Sequence, residues 1–326
     1  MNQLNKVLHR LPLALVGMCA VMSGGVAYAW PDAPIRIVVP FSPGGTTDFL
    51  GRLAAEGLRQ QLNSDVIVEN KAGAGGNLGA SEVARAKPDG YTLLLGTPGT
   101  QIVNQLVYKN TGYDAQADFA PVAYIAEVPN VVLSNPGTGL KNMADLIKRA
   151  KQDPTALNWG SPGVGSTGHL ALELLLQKTG ISINHIPYKG ASQATNDLLG
   201  GQIQLSGDNL PTALSFIKSG KLNALGVTSS TKAASAPDIP TVAQTVPGYE
   251  LTSWFVLMAP ARTPPTVIDT LNRAVNKWLQ LPETQKRLAD QAARPMGGTA
   301  AKLADHLAAE KTKYETLVKN AGIQAK

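Results

Sequence analysis

The chain has one cysteine, Cys19, in 326 residues, and it lies in an apolar stretch close to the N-terminus. Beyond that stretch there is no thiol to form a disulfide or to act as a nucleophile. The fold must therefore be held by its core, and thiol catalysis is excluded. Aromatic residues make up only 5% of the sequence, and Lys and Arg are dispersed, as around Lys141, Lys148, Arg149 and Lys151. A nucleic-acid protein would concentrate a basic stripe with stacking rings, so none is expected as a partner. His169, His185 and His306 are scattered, with no cysteine and no close spacing, which argues against a metal site. The apolar run near the N-terminus is bracketed by Pro12 and Gly24-Gly25, too short to anchor the chain across a membrane.

What is present begins with an export signal. Lys6 and Arg10 form a basic region, Leu11 to Val16 and Met18 to Met22 an apolar one, and Ala27-Tyr28-Ala29 a cleavage site. Cleavage after Ala29 removes residues 1–29 and sends a mature chain starting at Trp30 to the periplasm. A lipoprotein signal using Cys19 is the rival, opposed by Met18 where a small residue is required. The net charge of +6 includes Lys6 and Arg10, so the mature chain is mildly basic, which favours anionic ligands.

Short apolar runs then alternate with helical patterns. Strands are expected at Ile35–Val39, Val66–Val68, Thr92–Leu95, Val122–Ile125, Val131–Leu133, Leu157–Trp159, Ile183–Ile186, Ile203–Leu205, Leu222–Val227 and Trp254–Met258. Amphipathic stretches such as Phe49–Leu62, Met143–Ala150, Leu170–Lys178 and Thr212–Lys218 lie between them. This rhythm predicts an α/β fold of parallel sheets covered by helices. Val267–Leu279, Glu283–Gln291 and Ala300–Lys319 read as three closing helices with no strand between them. Chain crossings are expected near Glu127–Val131 and Gly248–Ser253. They divide the mature chain into a discontinuous first domain, 30–129 plus 253–326, and a second domain, 130–252.

Four strand-to-helix loops carry the candidate chemistry. Pro40–Asp48 and Asn70–Gly79 are rich in glycine and would present free backbone amides at a helix start, where the helix dipole favours an anion. Neither has a P-loop lysine. Asn158–His169 repeats the pattern with hydroxyls, and Gln204–Pro211 does so with an acid and an amide. Any one of them reads as a tight turn with a helix cap. Four at comparable strand ends point to a shared ligand site.

Enzyme signatures fail on inspection. Gly73-x-Gly75-x-x-x-Gly79 approximates a dinucleotide turn, but Leu95-Gly96-Thr97 offers no ribose-binding acid, so no cofactor is expected. Ser215–Lys218 and Lys178–Gly180 match fragments of serine β-lactamase motifs in the wrong order. Val164 spoils a nucleophile elbow around Ser166. A serine hydrolase or transferase using Ser166 and His169 remains the alternative, without an assignable third acid. Of the other polar and aromatic residues, His185 reads as a core or turn histidine and His306 as solvated. Trp159 and Trp278 read as core. Trp254 and Phe255 must face opposite sides of a strand, one toward the core and one toward the cleft.

Several segments resemble the Bug family, the periplasmic solute receptors of tripartite tricarboxylate transporters. They are Val39–Asp48, Val68–Gly79, Pro88–Thr97, Pro187–Gly190, Leu198–Ile203, Ser219–Thr228, Pro237–Val242 and Ser253–Phe255, in order along nearly the whole mature chain. The resemblance implies a type II periplasmic-binding-protein-like fold, two α/β domains with a ligand cleft and two hinge crossings. It implies a binding protein, not an enzyme, for a small organic carboxylate: a di- or tricarboxylate or an aromatic acid. It also implies delivery to the membrane permease subunits; the chain itself is expected to be a monomer. A ligand sensor for a membrane kinase is the other non-enzymatic reading. Carried over, Phe41, Ser42, Gly44, Gly45 and Thr46 with Ala74, Gly75, Gly76 and Asn77 would hold one carboxylate through amides and waters. Ser161, Ser166, Thr167, His169 and Asp208 would meet the distal end, with Thr97 and Phe255 completing the wall. The chain departs from the family at Gly51, an expected matter of helix packing, and at Ser206-Gly207, expected to enlarge the distal pocket.

Overall fold

The computed structural model describes residues 30–323; the export signal expected over 1–29 lies outside the described residues. The first half is built from β1 (Ile35–Val39), α1 (Thr46–Leu62), β2 (Val66–Asn70), α2 (Asn77–Ala84), β3 (Thr92–Gly96) and the short α3 (Asn104–Val107). A 16-residue strand, β4 (Phe119–Ser134), leads into α4 (Met143–Gln152), β5 (Asn158–Ser161), α5 (Thr167–Thr179), β6 (Asn184–Pro187), α6 (Ala191–Leu199), β7 (Leu205–Asn209), α7 (Leu210–Lys218) and β8 (Asn223–Val227). The chain returns along β9 (Thr252–Pro260) and ends with α8 (Pro265–Leu279), α9 (Pro282–Asp290), β10 (Arg294–Pro295) and α10 (Ala300–Ala321).

Sheet order is β2-β1-β3-β9-β4-β7-β5-β6, with β8 and β10 also on β4. The sheet is mixed, which corrects the parallel expectation. β1 is parallel to β2 and β3, and β5 to β6 and β7. The strands that carry the chain between halves, β4 and β9, run against their neighbours. β4 also fuses two expected runs into one strand. Its residues up to Pro129 pair with β9, and those from Asn130 pair with β7. Pro129 stands where β4 changes partner, so its missing N–H interrupts neither ladder's interior.

Packing follows the apolar faces. Leu50, Leu53, Ala54 and Leu58 of α1 are buried on the sheet, and Gly57 lets α8 approach: a Cβ there would lie 2.3 Å from the Trp278 ring. Gly51 is likewise a packing glycine, with a Cβ position 2.6 Å from Val39. α10 reaches across both halves. Its Tyr314 hydroxyl donates to the Thr252 carbonyl, and Tyr314 and Val318 share a core with Leu170 and Leu175 of α5. A two-residue strand, β10, interrupts the three expected C-terminal helices. His306 is not solvated as expected: it packs 4.7 Å from the Tyr124 ring and edge-on to Trp254, and burial pushes its pKa down. Among the described residues no helix is long and apolar enough to cross a membrane.

Candidate functional site

The site forms where strand ends of both halves meet. β1 ends at Val39, and Gly44, at φ +89°, turns the chain into α1. Gly44 spends its amide on Asp48 Oδ2, 3.1 Å away. Burial works to raise the Asp48 carboxyl, but hydrogen bonds from Arg52, Asn70 and Gly44 outweigh it and hold the group below its ordinary value. Asp48 thereby fixes the turn. The N-cap of α1, Gly45, carries no side chain to cap the helix; Thr212 Oγ1 takes the Thr46 amide, and the positive end of the helix dipole still favours an anion beside the first turn.

Gly45, Thr46 and Thr47 line a cavity together with Phe41, Ser42, Thr97, Pro98, Gly99 and Phe255 on one side. Pro162, Ser166, Thr167, Ala191, Asp208 and Asn209 close the other side, and Ser253 sits at the crossing. These are the C-terminal ends of strands and the first turns of helices, the usual ligand position in an α/β fold. Among the described residues no lysine, arginine or histidine lines the wall, and Asp208 is its one ionisable side chain. Ser253 Oγ accepts from or donates to Thr167 Oγ1 at 2.6 Å and donates toward Asn209 Oδ1 at 2.5 Å.

Hydroxyls fasten the two sides. Thr212 Oγ1 accepts the Thr46 amide at 3.0 Å and pairs with Thr46 Oγ1 at 2.8 Å. Ser42 Oγ donates to the Lys189 carbonyl, and Ser192 Oγ to that of Pro43. Tyr108 donates to the carbonyl of Val164. These contacts bridge the two walls of the cavity.

Of the residues proposed from the sequence, Phe41, Ser42, Gly45, Thr46, Thr97, Ser166, Thr167, Asp208 and Phe255 meet at this wall. Gly44 stands behind it. So does the second glycine loop, Ala74, Gly75, Gly76 and Asn77. Gly76, at φ +96°, backs onto Phe41 and Thr100, and a Cβ there would lie 2.8 Å from Thr100 Cγ2. The Asn77 amide oxygen accepts from Asn104 and Tyr113. This loop supports the Phe41 ring in place of facing the cavity.

Ser161 and His169 also turn away. Ser161, fully buried, bonds Gly163 and, at 2.7 Å, His185 Nε2. His169 Nδ1 accepts the Gly165 amide, Nε2 faces Glu173 at 3.2 Å, and the ring stacks on His185 with centroids 4.1 Å apart. Burial, with His169 adding to it, pushes His185 down to about 3. The stack holds the 161–166 loop in shape from behind. Ser166 Oγ donates to the Gly163 carbonyl and caps α5 through the His169 amide. With both ring nitrogens of His169 engaged elsewhere, the pair is not arranged as nucleophile and base.

The expected enlargement at Ser206-Gly207 is also corrected. The space beside Gly207 is filled by Trp159, whose ring would sit 2.5 Å from a Cβ there, and Ser206 Oγ turns to the Gly160 carbonyl. Sequence reasoning missed Thr47, Pro98, Gly99, Pro162, Ala191 and Ser253 on the wall, and Thr212 behind it. Ala191 was within reach, since Pro187–Gly190 leads from a strand into a helix as the other loops do. Trp254, by contrast, faces α10 through Glu310 while Phe255 faces the cavity, the division that alternation required.

The geometry defines a ligand receptor built on two strand-end loop sets. Residues 50–323 match the model of the tripartite tricarboxylate transporter family receptors, and the chain belongs to that family. It is 36% identical to the protein BugT of Bordetella pertussis over 316 residues, 96% of each chain. Among solved structures, R. palustris Rpa4515 with adipate is 39% identical, with a TM-score of 0.88 over 90% of this chain and 99% of that one. The periplasmic binding protein BugD is 34% identical at a TM-score of 0.87, covering 91% and 100%. MatC from Rhodopseudomonas palustris with bound malate is 30% identical at 0.84, covering 89% and 99%. The fold is that of the periplasmic-binding-protein-like α/β receptors.

Proposed function

We propose that the protein is a periplasmic receptor that captures a small organic carboxylate and hands it to the permease of a tripartite tricarboxylate transporter. The observation that carries this reading is the first turn of α1, with glycine at its N-cap, lining a cavity whose described wall holds hydroxyls and amides but no lysine, arginine or histidine. One carboxylate sits against Gly45 and Thr47, beside the Thr46 amide that Thr212 holds, where the helix start and its dipole favour it. Relatives solved with adipate and malate support a diacid of four to six carbons. The export signal over 1–29 accords with the periplasmic relatives.

Residues 30–129 with 253–326, and residues 130–252, act as two lobes that close on the acid. The hinge lies where β4 changes partner after Pro129 and where β9 begins. Closing excludes water and strengthens the hydrogen bonds around the ligand. It also gives the permease a surface that reports occupancy.

A thermal-shift screen of organic acids on the mature chain tests the proposal. A ligand at 100 times its Kd stabilises by about 2.7 kcal/mol, so C4–C6 diacids should raise the melting temperature by several degrees. A response to sugars or cations with silence across carboxylates would reject it, and turnover of a bound acid that Ser166→Ala abolishes would make the protein an enzyme.

A further inference from the structure

Asp208 is 2% exposed and, among the described residues, is the only ionisable side chain on the cavity wall. Its Oδ1 accepts the Asn209 amide at 2.7 Å, while Oδ2 is buried with no partner among the described residues. A buried carboxylate oxygen left unpaired is costly when charged. The surrounding elements bring nothing to offset it. β4 and β5 meet β7 through Asn130–Ser134, Trp159 and Gly160, none of them charged. On α5, His169 and Glu173 face each other outside the cavity, and Lys178 is in the last turn. Asp197 of α6 is held by the Tyr188 hydroxyl, and Lys218 ends α7. Across the cleft, Asp48 is engaged by Arg52 and Asn70. Burial accordingly pushes the Asp208 carboxyl up to about 7.

The same cavity is lined by the first turn of α1, the place given above to one carboxylate of the ligand. A diacid seated there and spanning the cavity would bring its second carboxylate to Asp208, and two carboxyl groups within hydrogen-bond reach cannot both ionise. We propose that Asp208 reads the far end of the ligand as a hydrogen-bond donor, so that the site binds a dicarboxylic acid together with one proton held between Asp208 Oδ2 and the ligand's second carboxylate. The inference rests on the carboxylate-receptor reading. The proton is taken from solvent where Asp208 is ionised beforehand and is already in place where it is not; no other bond changes. A monoacid offers Asp208 no acceptor, and an ω-amino acid would need Asp208 ionised.

Titration calorimetry of the mature chain with adipate, hexanoate and 6-aminohexanoate, each in phosphate and in Tris, reads the proton directly. Adipate should take up about half a proton at pH 7 and nearly one at pH 8.5, with affinity falling up to about tenfold per pH unit above 7. Asp208→Asn, whose amide still donates, should bind adipate with no uptake and a flat pH profile. Adipate bound without proton uptake, or a pH profile that Asp208→Asn leaves in place, would overturn the proposal. So would 6-aminohexanoate binding tighter than adipate and weakening in Asp208→Asn, which makes Asp208 a counter-ion. Silence of succinate, malate and adipate alike would instead remove the receptor reading beneath it.

Discussion

Replacing Thr212 by valine keeps the shape of the side chain and removes the hydroxyl that joins the two sides of the cleft. That hydroxyl accepts the Thr46 amide at 3.0 Å and pairs with Thr46 Oγ1 at 2.8 Å. At about 1 kcal/mol net for each hydrogen bond, the closed arrangement loses roughly 2 kcal/mol, close to thirtyfold in the ratio of closed to open forms. The cavity is assembled from both halves, so an acid held by the closed form should lose affinity by up to that factor. Calorimetric titration of adipate into the wild type, Thr212→Val and Thr212→Ser measures it, and the serine variant should recover most of the loss. An unchanged Kd in Thr212→Val would show that this contact takes no part in closing. A tighter Kd would show that the hydroxyl competes with the ligand for the α1 amide. Either result refutes the reasoning.

Gly76→Val should abolish adipate binding, because φ is +96° and the new Cβ would lie 2.8 Å from Thr100 Cγ2, which displaces the support of Phe41. Lys71→Ala should cost less than about threefold, since the ammonium pairs with Glu69 and Glu82 at an exposed site; greater damage from Lys71→Ala than from Gly76→Val would overturn the supporting role given to this loop behind Phe41. The two buried carboxyls should respond to pH with opposite sign. Asp48 has its folded pKa below the ordinary 3.8, so it stabilises the fold above that pH and the benefit disappears as pH falls through the folded value; Asp48→Asn should lower Tm at pH 7, by an amount that shrinks on acidification. Asp208 is raised from 3.8 to about 7, so the fold loses stability as pH climbs through that interval, by up to roughly 4 kcal/mol. Asp208→Asn should therefore raise Tm at pH 8 and change it little at pH 4, and equal shifts at both would contradict the burial argument.

The strands with self-contained patterns were legible in the sequence. Ile35–Val39, set between Pro34 and Pro40, appears with the same limits in the structure. The continuity of β4 was not legible, because Glu127 and Pro129 break its apolar run and only pairing with β9, β7 and β8 carries the strand through. α6 escaped notice because small residues, Ala191, Ser192, Ala194 and Thr195, give little helical contrast. The glycine turns announced the position of the site. Which loop faces the ligand depends on what stands in front of it, and Phe41 covers the second loop. His169 shows the same limit: its place beside the cleft followed from the sequence, but the ring direction is set by Gly165, Glu173 and His185. Gly207 suggested room at a strand end, and only packing reveals that Trp159 from a neighbouring strand fills it.

A crystal structure of the mature chain with adipate tests the central claim most directly. The acid should lie between the two halves, with one carboxylate against Gly45–Thr47 at the start of α1 and the other within hydrogen-bond distance of Asp208 Oδ2. An acid that touches the loops of one half alone, or that leaves the first turn of α1 without a carboxylate, would contradict the account.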